Sequence, residues 1–295
     1  MTCKATKNSQ GLQFGGTMPV LHPVRLPHKH FCPYSGVPYV NFHIWHGVLL
    51  IATLALVVTA SASTGDQGRL GIWDTLVKWT PLLLSGFSVN LLMSIAAMAI
   101  GTVFGVILGL CQISLMPQIR TGSWLLTQIF RNSPWLVTLF YVMYVIPFEF
   151  DLFGTRIALS DWSKATFGLS LPVMANVSEI VRGGVQSIPA VQWEAARGLA
   201  FNHRQTLWMI ILPQAAKRML PPWMNLYAIL TMATVLGNIV GVTEALTLTR
   251  EIIAAEARTD LLLPLYGYVL LMFFLYVFPI SRLTIYLERK WAVDA

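Results

Sequence analysis

The chain has 295 residues, 55% of them hydrophobic and only 11% charged, whereas soluble domains carry about 25% charged residues. That balance excludes an ordinary soluble domain and predicts an integral membrane protein, with spans of about 20 apolar residues each. The net charge of +7 does not point to nucleic acid, because the cations lie between apolar runs and no basic helix carries interleaved aromatics.

Residues 1–43 are polar, contain Pro19, Pro23, Pro27, Pro33 and Pro38, and show no apolar periodicity. They read as a flexible cytoplasmic tail. Cys3, Cys32 and Cys111 match no zinc or redox spacing, so no disulfide framework is expected. His28, His30 and Cys32 are ligand types. Crowded together in a Pro-containing tail, they still read as ordinary tail residues, and no metal site is expected.

Residues 44–62 form the first apolar run. Its end, Ala60-Ser61-Ala62, imitates a signal-peptidase site. A secretory signal has a short basic start and a core of about 7–15 residues. With a long tail ahead of it, this run reads instead as an uncleaved transmembrane helix. A polar loop over 63–80 follows, then a second span from about Pro81 to Ser114. Gly101, Gly105 and Gly109 recur at i, i+4, i+8 and mark a face for close helix packing. The third span covers about Ser123 to Phe148 and contains Arg131-Asn132-Ser133-Pro134. An acidic-leaning loop, 149–164, leads to a fourth span, about Ala165 to Gly184, with Glu179 and Arg182 near its end.

Residues 189–213 are the longest polar-containing interval of the second half. Pro189 suits a helix start. Gln192 to Leu199 favour helix, Asn202 and His203 break it, and Arg204 to Leu212 resume it until Pro213. This predicts a short helix, a corner and a second helix. Adjacent Ala195 and Ala196 give a smooth face between Glu194 and Arg197, suited to docking another protein. Pro221-Pro222 opens a fifth span to about Val242, residues 243–260 are polar again, and the sixth span runs from about Leu261 to Leu287. Tyr266, Tyr268, Phe273, Phe274, Tyr276 and Phe278 of that span read as lipid-facing and interfacial.

Orientation follows from Lys and Arg. Thirteen of the 20 fall in the N-terminal tail, residues 115–122, the interval around 182–218 and the C-terminal end; six fall on the other side. Both termini and the 189–213 loop are therefore expected in the cytosol.

Glu194-Ala195-Ala196, then three residues, position 200, nine residues and Ile210-x-Leu212-Pro213 resemble the signature loop of ABC-importer permeases. Ala200 stands where that signature has Gly. Phe130-Arg131-Asn132-Ser133-Pro134, Glu179-Ile180-Val181-Arg182-Gly183-Gly184 and Ile210-Ile211-Leu212-Pro213-Gln214-Ala215 are similar to segments of the polar-amino-acid permeases, the histidine, glutamine, glutamate and arginine group. The resemblance covers about residues 81–290. Departures are Val191, where the group has Gly, and the more apolar Ile229–Leu236 in the fifth span.

The resemblance implies an all-α integral membrane fold of about six transmembrane helices: a five-helix type I core, residues 81–290, plus the extra helix 44–62. It implies an inner-membrane permease for amino acids or their derivatives. Its partners would be ABC ATPase subunits, a second permease subunit and a periplasmic substrate-binding protein, all within membrane lipid. The chain has no Gly-x-x-x-x-Gly-Lys-Ser/Thr loop, so ATP and Mg are assigned to the partner ATPase, and the chain itself is expected to hold no cofactor and catalyse no reaction. Gln192, Glu194, Ala195, Ala196, Arg197, Gly198, Ala200, Ile210, Leu212 and Pro213 would couple to the ATPase. Asn90, Arg131, Asn132, Ser133, Glu179, Arg182 and Thr234 are candidates for the path or its gating. Glu179 and Arg182, three apart, can pair on one helix face. Two other readings stay open: a stand-alone secondary transporter, although no internal repeat is visible, and a mainly structural partner of a second permease.

Overall fold

A computed structural model describes residues 71–152 and 155–292. The tail 1–43 and the first span 44–62 lie outside the described residues. Helix α1, Ile72–Gln112, is 41 residues long, about 60 Å at 1.5 Å per residue. It begins nine residues before the expected span, so much of the supposed 63–80 loop is helix. Leu84, Leu92, Ile95, Val103 and Ile107 expose about half their surface along one face, which suits lipid rather than water.

The glycine face of α1 packs on α4, Asp161–Gln186. A Cβ on Gly101 would sit 2.4 Å from Val173 Cγ1, one on Gly105 2.6 Å from Val177 Cβ, and one on Gly109 2.7 Å from Val181 Cβ. The three valines are buried at the same i, i+4, i+8 spacing, so the helices interlock small into β-branched. Ser160 caps α4 by accepting from the Ser163 backbone N–H.

The third span is broken. Helix α2, Pro117–Asn132, ends at extended Ser133, and Pro134 caps α3, Trp135–Val145. A residue before proline is pushed out of the α region, which puts the break where the sequence places Arg-Asn-Ser-Pro. The loop 149–164 contains an antiparallel hairpin, Glu149–Leu152 (β1) with Thr155–Ala158 (β2), in the register Glu149 to Ala158. The all-α expectation holds for the fold, with this one small hairpin beside the helices.

After the short helix α5, Ala190–Gly198, the chain forms a helical rod over His203–Val240. It contains a π-helical stretch Thr206–Ile211, then α6, Leu212–Ala233, then a 3-10 stretch Thr234–Val240. Pro213 does not end the helix, and Pro221-Pro222 does not open one. Pro213 occupies the first turn after the π-helical stretch, where a missing N–H is tolerated. The polar interval 243–260 holds helix α7, Ala245–Glu256. Helix α8, Leu262–Ala292, closes the described chain.

Among the described residues, three helices are long and apolar enough to cross a membrane: Ile72–Gln112, His203–Val240 and Thr259–Trp291. The expected six are not reached among the described residues. The third span is split at Pro134, and α4 carries Lys164, Asn176, Glu179 and Arg182, which lower its hydropathy while its apolar side is buried at the centre.

The aromatic reading of α8 is corrected for three of its six rings, Tyr268, Phe273 and Tyr276. Phe273 meets Phe87 of α1 edge-on at 5.0 Å, Tyr276 hydroxyl lies 2.7 Å from Tyr227 hydroxyl, and Tyr268 hydroxyl accepts from Thr80 at 3.2 Å. These rings face α1 and α6, because their edges and hydroxyls find partners there.

Candidate functional site

Helix α5 projects from the body as an elbow with both ends fastened. Pro189 caps its start. At its end, Phe201 N–H donates to Ala196 O at 3.1 Å and Ala200 N–H to Arg197 O at 2.9 Å. This is the paired bonding of a Schellman turn, with its left-handed position filled by Ala200 at φ 59°. Asn202 then starts the rod with a capping box: its Oδ1 accepts from Gln205 N–H at 2.8 Å, and Gln205 Oε1 accepts from Asn202 N–H at 3.0 Å.

Gln192, Glu194, Ala195, Arg197 and Gly198 are exposed on this elbow. Ala196 is not; it is only 2% exposed. The smooth docking face is thus Ala195 alone of the two alanines, since successive helical residues point about 100° apart. Trp193 turns inward and stacks on His203 with centroids 5.6 Å apart. It joins Ile210 and Leu212 around buried Val185, Ile188, Ile211 and Ala215. Ile210 and Leu212 therefore hold the elbow, while Pro213 is exposed. The Trp193–His203 stack was not anticipated from the sequence, although Trp193, the one aromatic of the 190–198 helix, was its signal.

Arg131, Glu179 and Arg182 come together. Glu179 accepts from Arg182 Nη2 at 2.6 Å and Nε at 3.2 Å, and Arg131 Nη1 lies 3.1 Å from Glu179 Oε2. Arg182 Nη1 also donates to Gln186 Oε1 at 2.8 Å. Arg131 and Glu179 line a cleft of about 570 Å³ with Asn176, Arg218 and Asn225. Asn132 instead donates to Gln128 on its own helix, and Ser133 marks the α2 end, so neither joins the cluster.

Asn90 and Thr234 meet in the interior. Both are fully buried, and Asn90 Nδ2 donates to Thr234 Oγ1 at 3.1 Å and to Glu244 Oε2 at 3.0 Å. In this conformation they join α1 to the rod rather than face an open path. Glu244, which the sequence left in a polar interval, is also fully buried. Its carboxylate caps α7 by accepting from Leu246 and Thr247 N–H, each at 3.0 Å. A second node ties α1, α2 and α4: Gln112 Nε2 donates to Thr127 at 2.7 Å and to Ser178 at 3.1 Å. No group of three His, Cys, Asp or Glu suited to a metal ion occurs among the described residues.

A packed helical core with membrane-length helices, a fastened exposed elbow and charged residues set within the helices describe a membrane-embedded helical protein. The sequence profile of the binding-protein-dependent transport system inner membrane component family matches residues 101–292, and the chain belongs to that family. It is 28% identical over 219 residues to the L-cystine transport system permease of Bacillus subtilis, covering 74% of this chain and 90% of the relative. It is 26% identical over 228 residues to the glutamine transport system permease of Escherichia coli, covering 75% and 98%. Among solved structures, an amino acid ABC transporter superposes with TM-score 0.64 at 25% identity, covering 73% of this chain and 96% of that one. An inward-facing methionine ABC transporter, at 18% identity and TM-score 0.59, shares the fold.

Proposed function

We propose that this chain is the permease subunit of an ATP-driven importer for amino acids or amino-acid derivatives. The observation that carries the reading is the elbow: a nine-residue helix, Ala190–Gly198, with Gln192, Glu194 and Ala195 exposed and with Trp193 and Ala196 anchored inward. ATPase subunits carrying ATP and Mg dock on that face. Closure of those subunits swings the elbow, and the rod His203–Val240 transmits the movement. A periplasmic binding protein delivers substrate, and a second permease subunit completes the path. The excess of Lys and Arg supports a cytosolic elbow and cytosolic termini. Cystine and glutamine in the relatives' names support the substrate class.

The Arg131–Glu179–Arg182 cluster spans α2 and α4 and serves as an ion-paired gate or brace. Glu179 is the most buried member, so removing an arginine leaves part of its charge uncompensated. A second reading, a mainly structural subunit beside a substrate-contacting permease, is favoured by Ile229–Leu236. There Thr231 and Thr234 are fully buried and hydrogen-bonded, leaving an apolar surface.

Co-expression with the cognate ATPase subunit tests the docking face. Ala195→Trp is expected to abolish co-purification, while a Val137→Trp control on lipid-facing surface leaves it intact. Equal co-purification of both would overturn the docking assignment.

A further inference from the structure

A cleft of about 450 Å³ lies between α6 and the end of α8. Lys217, Arg218 and Arg289 converge on it with Trp291, over an apolar floor of Pro221 and Pro222, and Glu288 is the single acid in its lining. Among the described residues neither Lys217 nor Arg289 has an ion-pair or hydrogen-bond partner. Three cations facing one acid repel one another unless an anion enters.

Depth identifies the anion. The span Thr259–Trp291 has 33 residues, about 50 Å at 1.5 Å per residue, against a hydrocarbon core of about 30 Å. Its last turn therefore emerges among the headgroups, where Trp is favoured. Tyr286, one turn before Arg289, is 58% exposed, and Leu283 is 50% exposed. Cationic surface thus runs directly into apolar surface on one helix, as a headgroup with its acyl chains requires.

We propose that Lys217, Arg218 and Arg289, with Trp291, form a binding site for the phosphate of an anionic phospholipid headgroup beside the elbow. Arg218 links the site to the elbow: its Nη1 donates to Ser187 O at 2.9 Å, two residues before Pro189. The bound headgroup steadies the helix end from which the elbow departs.

The test uses the full chain in detergent, with bound lipid read by native mass spectrometry and no ATP or transport substrate present. Its outcome is therefore separate from that of the importer reading. Phosphatidylglycerol and phosphatidylcholine of identical acyl chains are titrated, with inorganic phosphate in a third arm. Phosphatidylglycerol is expected to bind at least about tenfold tighter than phosphatidylcholine. The double variant Lys217→Gln/Arg289→Gln is expected to lose roughly thirty-fold, about fivefold per cation. Arg289→Lys keeps the charge and is expected to retain most of the affinity. Circular dichroism confirms that each variant is folded. An unchanged lipid preference in the folded double variant would overturn the site. So would tight binding of inorganic phosphate without any preference between lipids.

Discussion

Ala200 shows how much one residue determines at the elbow. It holds φ 59°, a region that costs a non-glycine residue roughly 1–2 kcal/mol. Glycine would relieve that strain but add about 0.4–1 kcal/mol of unfolded-chain entropy. Ala200→Gly is therefore expected to stabilise by roughly 0.5–1 kcal/mol, seen as a raised thermal midpoint in detergent; a lowered midpoint would contradict the Schellman geometry. Glu244 is the opposite case. Glu244→Ala leaves the Leu246 and Thr247 N–H groups and Asn90 Nδ2 without that acceptor, and is expected to cost roughly 2–4 kcal/mol. Glu244→Gln keeps one amide oxygen for these donors and is expected to cost less, in the same unfolding measurement. Pairing of Glu179 with Arg182 was legible from their spacing. Arg131, on a different helix, and the buried role of Glu244 were not, because both depend on contacts between segments far apart in sequence.

At the level of elements, the glycine stripe was readable because helix periodicity alone puts Gly101, Gly105 and Gly109 on one face. Gly105→Leu has no room: even its Cβ would sit 2.6 Å from Val177 Cβ and 2.7 Å from Met174 O. Helices α1 and α4 must part, and the variant is expected to lose its monodisperse peak on gel filtration, whereas Gly122→Leu, with open space around it, keeps it. Helix α7 was read only as a polar interval, because its charges outweighed its periodicity. Those charges are partly fastenings. Lys78 Nζ and Trp79 Nε1 each donate to Glu256 Oε1 at 2.8 Å. The bond from Lys78, followed by that from Trp79, lowers the Glu256 pKa below its ordinary 4.5. A lowered carboxylate pKa contributes stability that is present above the ordinary value and lost as pH falls through the lowered one. Amide protection in Ala245–Glu256 is therefore expected to hold at neutral pH and to fall only in acid below 4.5. Glu256→Gln is expected to remove that acid step; a step that persists would assign it to another group. The unbroken rod through Pro213 was illegible, since a π-helical stretch that places a proline safely leaves no local sequence signal.

For the whole molecule, the core of helices and the elbow were legible, because both rest on local patterns: apolar length, small-residue faces, and helix starts and stops. The inward-turned aromatics of α8 and the β1–β2 hairpin were not, because the first depends on which neighbour each ring meets and the second on cross-strand pairing. The parts fit one mechanical scheme. The elbow is fastened to the rod through Trp193, His203, Ile210 and Leu212, and the rod meets α1 through Asn90 and Thr234. In the proposed coupling, a push on the exposed face of α5 passes into the helices that surround the Arg131–Glu179–Arg182 cluster. The most direct measurement is uptake of radiolabelled glutamine and cystine into proteoliposomes holding this chain with its ATPase and binding-protein partners, with and without ATP, beside a Glu194→Lys variant. ATP-dependent uptake of one of them that the variant abolishes is the expected result. Uptake that proceeds without any ATPase subunit, and that Glu194→Lys leaves unchanged, would contradict the coupling role of the elbow.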